Sequence, residues 1–357
     1  MSTTSVIIAT YNYGRFLGDC LRSVLDQTAE PLEVIVVDDG STDETSEVVA
    51  SFGDRVRYLR QHNQGPGAAR NRGLELAQGD YIAFCDGDDC YRPHSIERRA
   101  AVLDRYPEVG LVFGDLELFF EPSGVRWRSL TATEFKAGFR RLPRRALEAD
   151  VSVLEGDVLS TLLVDRFVTM PTAMVRRSCL ERWGAFDEGL RMQEDIDLWL
   201  RLAERERCAY IDQQLADCRQ HDSNLSTRSL LRATTQIQLI HKLMTSAGPT
   251  WRSRGRLLRQ QLGIYLFDLG YVRFKAEEYA AARRAFAQGL ACRPHDWRLW
   301  AYAAAACLPA AVREAAKGWR RRVLRQDRAE GRAASGACAV ATSPKSTASA
   351  RRARGRR

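Results

Sequence analysis

Over the first 120 residues, short apolar runs alternate with segments of helical period. "SVIIAT" (5–10), "EVIVVDDGS" (33–41), "VRYLRQ" (56–61) and "YIAFCDGDD" (81–89) read as strands, and most of them end in polar or acidic residues. Between the first two, "FLGDCLRSVLDQT" places Phe16, Leu17, Cys20, Leu21, Val24 and Leu25 on one helical face. "STDETSEVVASF" opens with Ser41 and Thr42, both able to cap a helix, and with acids that suit its first turn. "GPGAARNRGLELAQG" is a Gly/Pro loop that runs into a helix expected to stop at Gly79, and a helix over 94–105 and the apolar run "VGLVFGDLELFF" (109–120) follow. Alternation of this kind predicts an α/β fold whose largely parallel sheet is covered on both faces. Ligands of such sheets bind at the carboxyl ends of the strands. Polar residues gather there: Thr10-Tyr11-Asn12, Asp38-Asp39, Gln61-His62-Asn63 and Asp86 to Asp89.

The pattern then weakens. Residues 121–165 include "RWRSLTATEFKAGFRRLPRR", which reads as a basic loop or helical excursion, before the period returns at "FVTMPTAMVRRSCLERWGAFDEGLRMQEDIDLWLRLAER". From about Leu230 the chain reads as all helix. Leu266, Gly270, Tyr279, Ala282, Phe286 and Pro294 are spaced as in one tetratricopeptide-type hairpin. A helical subdomain packed on the body would give the same pattern, since a single repeat has no neighbours to bury its face. The expected division is 1–228, 229–327 and an Ala/Ser/Arg/Gly-rich segment, 328–357, expected to be disordered.

Charge sharpens that division. The chain carries a net +9, but residues 313–357 hold 14 Lys/Arg against three Asp/Glu, so the preceding 312 residues are near neutral. A nucleic-acid-binding body is therefore not expected, and the basic segment suits anionic lipid or another acidic partner. Nine cysteines, without zinc-ligand spacing, read as reduced thiols. The N-terminus has no basic stretch followed by an apolar one, and the longest apolar run, Leu299 to Val312, is 14 residues, too short to span a bilayer. The expectation is a cytoplasmic protein, or one peripheral on the inner face of the membrane.

Five stretches carry candidate chemistry. Asp86-Gly87-Asp88-Asp89 offers an Asp-x-Asp to a hard divalent cation, although the same residues make an ordinary solvated turn. Asp38-Asp39-Gly40-Ser41 places a carboxylate where a base N–H or a ribose hydroxyl could donate to it. "NQGPGAARNRG" (63–73) exposes backbone N–H groups before a helix and carries Arg70 in its first turns. "QEDIDLWLRLAE" (193–204) sets Glu194 and Asp195 at a helix start, as caps or as a general base. "CRQHDSNLS" (218–226) brings a lone His221 between Arg219 and Ser226.

In that order, "ATYNYGRFLGDCLRSVLDQT", "VIVVDDGSTDET", "NQGPGAARNRGLELAQGDYIAFCDGDD", "WGAFDEGLRMQEDIDLWLRL" and "CRQHDSNLS" resemble the family 2 glycosyltransferases. The resemblance covers roughly residues 4–226. It implies the GT-A fold, a Rossmann-like, mixed but mostly parallel sheet, here with a C-terminal helical extension. It implies inverting transfer of a sugar from a nucleotide-diphosphate sugar, with a UDP-sugar the expected donor, to a hydroxyl of a glycan, a lipid-linked acceptor or a small molecule. By motif, Thr10, Tyr11, Asp38, Asp39, Arg70, Asp86 and His221 would contact the nucleotide-sugar. Asp88, Asp86 and His221 would hold Mg²⁺ or Mn²⁺, and Asp195 would be the general base. A metal-dependent nucleotidyltransferase acting on sugar phosphates is the alternative that the acids and the α/β sheet leave open.

Overall fold

The computed structural model describes residues 2–121, 123–127, 136–222, 224–225, 228–245, 248–309 and 312. The basic segment 328–357, part of 121–165 and Ser226 lie outside them. The strands are β1 (Thr4–Thr10), β2 (Glu33–Asp38), β3 (Arg57–Arg60), β4 (Tyr81–Asp86), β5 (Cys90–Tyr91), β6 (Val109–Phe120), β7 (Val125–Trp127), β8 (Arg144–Ala146), β9 (Val151–Leu154), β10 (Met174–Arg176) and β11 (Arg207–Gln220). The helices through the body are α1 (Gly14–Leu25), α2 (Thr45–Ala50), α3 (Pro66–Leu74), α4 (Ser95–Arg105), α5 (Ala137–Arg141), α6 (Val158–Asp165), α7 (Arg177–Trp183) and α8 (Glu194–Ala203). After the last strand come α9 (Ser229–Thr245), α10 (Pro249–Arg252), α11 (Gly255–Lys275), α12 (Tyr279–Cys292) and α13 (Trp297–Cys307).

All the strands join one mixed sheet, ordered β3-β2-β1-β4-β10-β6-β11-β9-β8, with β5 on β11 and β7 on β6. β3, β2, β1 and β4 are parallel, and β10 runs antiparallel between β4 and β6. Because β6 and β11 pair in parallel, the long strands β1, β2, β4, β6 and β11 all point the same way. In register, Thr10 stands beside Asp38 and Ala9 beside Asp86, so the polar ends form one ledge.

Alternation along the strands divides the interior in two. Val6, Ile8, Val34, Val36, Ala83 and Cys85 face a core with Leu17, Leu21 and Val24 of α1 and Val102 and Leu103 of α4. Ile7, Ile35, Val37, Ile82 and Phe84 face the other, which takes in Leu162 of α6, Trp199 of α8, Leu239 and Ile240 of α9, and Leu258 and Leu266 of α11. The first part of the helical extension is thus built into the body's own core. Ion pairs add to this attachment: Lys242 of α9 meets Asp197 of α8 at 2.7 Å, and Arg254 meets Asp157 at 2.7 Å. The eight cysteines among the described residues are free thiols. None of the described helices is long and apolar enough to cross a membrane.

Three expectations need correction. Ser41 and Thr42 do not cap α2, which starts at Thr45 after Glu44. Instead the Asn12 N–H donates to Ser41 Oγ, and the Thr42 N–H donates to Asn12 Oδ1 at 2.8 Å, tying the loop after β2 to the loop after β1. The helix after the Gly/Pro loop ends at Leu74, not Gly79, because the Gln78 and Gly79 N–H groups are already drawn to Glu33 Oε1 and Ser5 Oγ. The 121–165 excursion also contributes strands. β7, β8 and β9 are three or four residues long, too short for a two-residue period to stand out.

The α11–α12 crossing depends on a small residue. A Cβ at Gly270 would sit 2.4 Å from the Phe286 ring, which is buried in a separate small core with Ala282 and Leu299. Gly270→Val is expected to destabilise the protein by about 1–3 kcal/mol through overpacking. A thermal or urea melt should show this directly, and a wild-type midpoint would mean that the two helices can part without cost.

Candidate active site

The ledge is organised by one buried arginine. Arg70, 4% exposed, rises from α3 and uses both ends of its guanidinium. Nη1 donates to Glu194 Oε1 and Nη2 to Asp86 Oδ1, each at 2.6 Å. It therefore links the end of β4 to the start of α8, 124 positions apart in sequence in the case of Glu194. Phe186 packs against the guanidinium at 5.4 Å. Asp86 sits at the carboxyl end of β4, and Gly87 follows because a Cβ there would lie 2.7 Å from Thr10 Oγ1. That threonine hydroxyl is buried without a protein partner.

α8 begins under local constraint. Gln193, just before it, takes φ +70°, a left-handed conformation unfavourable for a residue with a side chain. The turn sets Glu194 inward on Arg70 and leaves Asp195 half-buried in the first turn, its Oδ1 accepting from the Ile196 N–H at 2.8 Å. Burial raises the Asp195 carboxyl above the usual range, against the opposing pull of Arg70, and Asp86 adds to the rise. Burial likewise raises Glu194 to about 7, with Arg70 opposing and Asp195 reinforcing.

The two partners of the Arg70–Glu194 pair pull in different directions. The guanidinium is held charged by Asp86 and Glu194, whereas Glu194 is driven toward its neutral form. Burial decides for Glu194, because Arg70 divides its charge between two carboxylates.

The second half of the ledge is an acid cluster closed by the far end of β11. Asp88 Oδ2 lies 3.1 Å from His221 Nε2 and accepts from Asn224 Nδ2 at 3.0 Å. Tyr13 and Phe16 pack their rings on His221. Asp89, outside the Asp-x-Asp pair, is buried, and its Oδ1 accepts the Arg219 N–H at 3.0 Å. Arg219 reaches on to Glu121 and to Asp19. Burial raises both Asp88 and Asp89, and neighbouring carboxylates add to the rise in each.

Hard oxygen donors under mutual repulsion suit a divalent cation, which would relieve both the repulsion and the burial cost. Asp86 and Asp88 have different protein partners, however. Among the described residues, no three His, Cys, Asp or Glu side chains form a ready-made metal cage. That agrees with an ion held by one or two carboxylates, with the rest of its shell supplied by phosphates and water.

The remaining predicted residues lie beside this cluster. Tyr11 is 39% exposed on the lip after β1. Asp39 holds the loop before α3: Oδ1 accepts from Gln61 Nε2 and the Gln64 N–H, and Oδ2 from the Gly65 N–H at 2.8 Å. Asp38 points into the body, accepting from the Ser41 N–H and the Tyr58 hydroxyl, both at 2.7 Å. Arg70 likewise lies beneath the ledge, with Asp86 and Glu194 occupying both ends of its fork. Asn224, Tyr13 and Glu194 complete the site. Asn224 and Glu194 lay within the motifs already singled out, but only the folded chain shows what they hold.

The glycosyl transferase family 2 model matches residues 5–157. That match covers less than half of the chain, and over it the protein is similar to the family 2 glycosyltransferases. An uncharacterized glycosyltransferase of Rickettsia typhi is 26% identical over 285 residues, covering 74% of this chain and 84% of that protein. One from a Nostoc species is 40% identical over 112 residues, 30% of this chain and 35% of the relative. Glycosyltransferase GlyG of Streptococcus pneumoniae is 35% identical over 135 residues, 37% of this chain and 44% of its own. The chain thus spans less than half of those last two relatives. Among solved structures, S. aureus TarS 1–349 superposes with a TM-score of 0.55 at 20% identity, covering 85% of this chain and 84% of that one. The same protein in complex with UDP-GlcNAc gives 0.56 at 20% identity, covering 81% of each chain. These likenesses establish the GT-A type of fold.

The raised Glu194 carboxyl has a consequence for stability. Its folded pKa lies above the value of about 4.3 in an unfolded chain, so the native state binds the extra proton. This contribution falls as pH rises from about 4.3 toward about 7 and is level above that. Glu194→Gln should flatten the stability profile across that window in denaturant titrations at successive pH values. An unchanged slope would show that Glu194 is ionised throughout.

Proposed function

We propose that the protein is a glycosyltransferase that moves a sugar from a nucleoside-diphosphate sugar to a hydroxyl acceptor with inversion at the anomeric carbon, and that Asp195 is the general base. The observation that carries this reading is the first turn of α8. There a half-buried carboxylate with a raised pKa stands within electrostatic reach of Asp86. A raised pKa suits a base working near neutral pH. The shared fold of a TarS structure holding UDP-GlcNAc supports a UDP-sugar donor.

In this mechanism Asp195 takes the acceptor hydroxyl's proton as the oxygen attacks. The bond from the anomeric carbon to the diphosphate oxygen breaks on the opposite side. A single displacement inverts the centre and releases the nucleoside diphosphate. Thr10, with a buried hydroxyl lacking a protein partner, and exposed Tyr11 would meet the nucleotide. Asp38 and Asp39 act through the loops they hold, and Arg70 keeps Asp86 and the α8 turn in register. Asp88, with Asp86 and His221, would hold Mg²⁺ or Mn²⁺, which supplies countercharge to the diphosphate leaving group. A glycan or lipid-linked hydroxyl is the expected acceptor.

Hydrolysis and transfer over a panel of nucleotide-sugars, with and without Mn²⁺, test the reading. Activity should disappear with EDTA and return with the ion. Product carrying a nucleoside monophosphate rather than a sugar would establish nucleotidyl transfer instead. Asp195→Asn should lower transfer by about a thousandfold or more while donor affinity, measured by calorimetry, stays within a few-fold. Normal transfer by this variant would remove Asp195 as the base. Asp88→Asn should abolish the metal-dependent turnover.

A further inference from the structure

The last described helix ends the helical stack with an apolar face that no described element covers. Leu299 and Ala306 of α13 are buried against α12, but Trp297, Trp300, Ala301, Ala304, Cys307 and Leu308 are exposed. These six recur at the spacing of one helical face, so they form a single stripe. Its two tryptophans are 73% and 58% exposed, which is unusual for the largest apolar side chain. Trp300 is not loosely placed: its indole N–H donates to the Pro294 carbonyl at 2.8 Å, which fixes the ring's orientation.

The charge around the stripe is mostly positive. From Tyr279 to Leu308 the only acid is Asp296, against Arg283, Arg284, Arg293 and Arg298. Asp296 is already neutralised by ion pairs with Arg293 and Arg298, both at 3.0 Å. The chain then continues into 313–357 with its 14 Lys/Arg and three Asp/Glu. An apolar stripe with interfacial aromatic residues, set in positive charge and followed by more of it, combines the two signals that peripheral membrane attachment requires.

We propose that the exposed face of α13 is a docking surface for an anionic lipid bilayer, with Trp297 and Trp300 at the headgroup level. Three other occupants fit less well. The chain's own continuation and a second copy of α13 would each bring positive charge against positive charge. Nucleic acid would satisfy the arginines and stack on the tryptophans, but it would leave Ala301, Ala304 and Leu308 without an apolar partner. This surface is separate from the ledge of Asp86, Asp88 and Asp195, so the inference extends beyond the transfer reaction and does not depend on it.

The test is co-sedimentation of the full chain with vesicles of phosphatidylglycerol and phosphatidylcholine, compared with phosphatidylcholine alone. Binding should require the anionic lipid and weaken as salt rises. Trp297→Ala with Trp300→Ala should lower partitioning by roughly tenfold or more. Ala304→Glu, at an exposed position, should do the same while leaving the far-UV circular dichroism spectrum unchanged, which shows the fold intact. Equal binding by wild type and Ala304→Glu, or no binding to anionic vesicles, would overturn the proposal. So would oligonucleotide retention without vesicle binding. A dimer in sedimentation velocity that Ala304→Glu dissolves while vesicle binding is unchanged would assign the stripe to self-association instead. A melting midpoint that Ala304→Glu lowers in lipid-free solution would assign it to the chain's own continuation.

Discussion

The Arg70 fork is the interaction on which the site depends. An arginine buried this deeply is tolerable only with its charge matched, and here it is matched by carboxylates from two distant elements. Asp86 belongs to β4 and Glu194 to α8, and each occupies one end of the fork. The planar guanidinium gives the link direction as well as charge, which a lysine would not reproduce. The acidic ledge and the turn presenting Asp195 are therefore set relative to one another by a single side chain.

That link explains how a crowded acid cluster can persist. Asp86, Asp88 and Asp89 follow one another within four positions, and each is stabilised differently. Asp86 is ion-paired to Arg70, Asp88 is bonded by His221 and Asn224, and Asp89 is strapped to the backbone of β11. Distributing the acids among three elements limits their repulsion while keeping them at one strand end. Negative charge concentrated where a diphosphate would sit makes chemical sense only with a cation between them, which is the physical ground for the proposed metal requirement.

Much of this was legible in the sequence because long strands and repeated apolar spacing signal themselves. β1, β2, β4 and β6 start within one residue of the runs that predicted them and end within three, and the polar residues at their ends fall on one ledge. The short strands β7 to β10 were not legible, because three or four residues do not establish a period. Nor was the inward turn of Asp38 and Arg70. A motif specifies which residue types stand at a strand end, but whether a side chain faces ligand or protein depends on partners such as Tyr58 and Glu194, brought in from elsewhere in the chain. The helical extension was ambiguous for a related reason. The spacing around Gly270 and Phe286 describes α11 against α12 correctly, yet says nothing of Leu239, Ile240 and Leu258 entering the core beneath the sheet.

That shared core bears on the order of events during synthesis. Ile7 and Ile35 bury one side of β1 and β2 in the same cluster as Leu258 and Leu266. α3 covers part of that face early, with Ala69 in the same cluster and Gly73 against Ile7, but the cluster is complete only when more than 200 further residues have been made. Closing so long a loop is slow, and the apolar surface exposed meanwhile is an aggregation hazard. The opposite face, covered by α1 and α4, can form once little more than the first hundred residues have emerged. A nascent chain of this protein would pass through a half-covered sheet, the stage at which a chaperone would have most to protect.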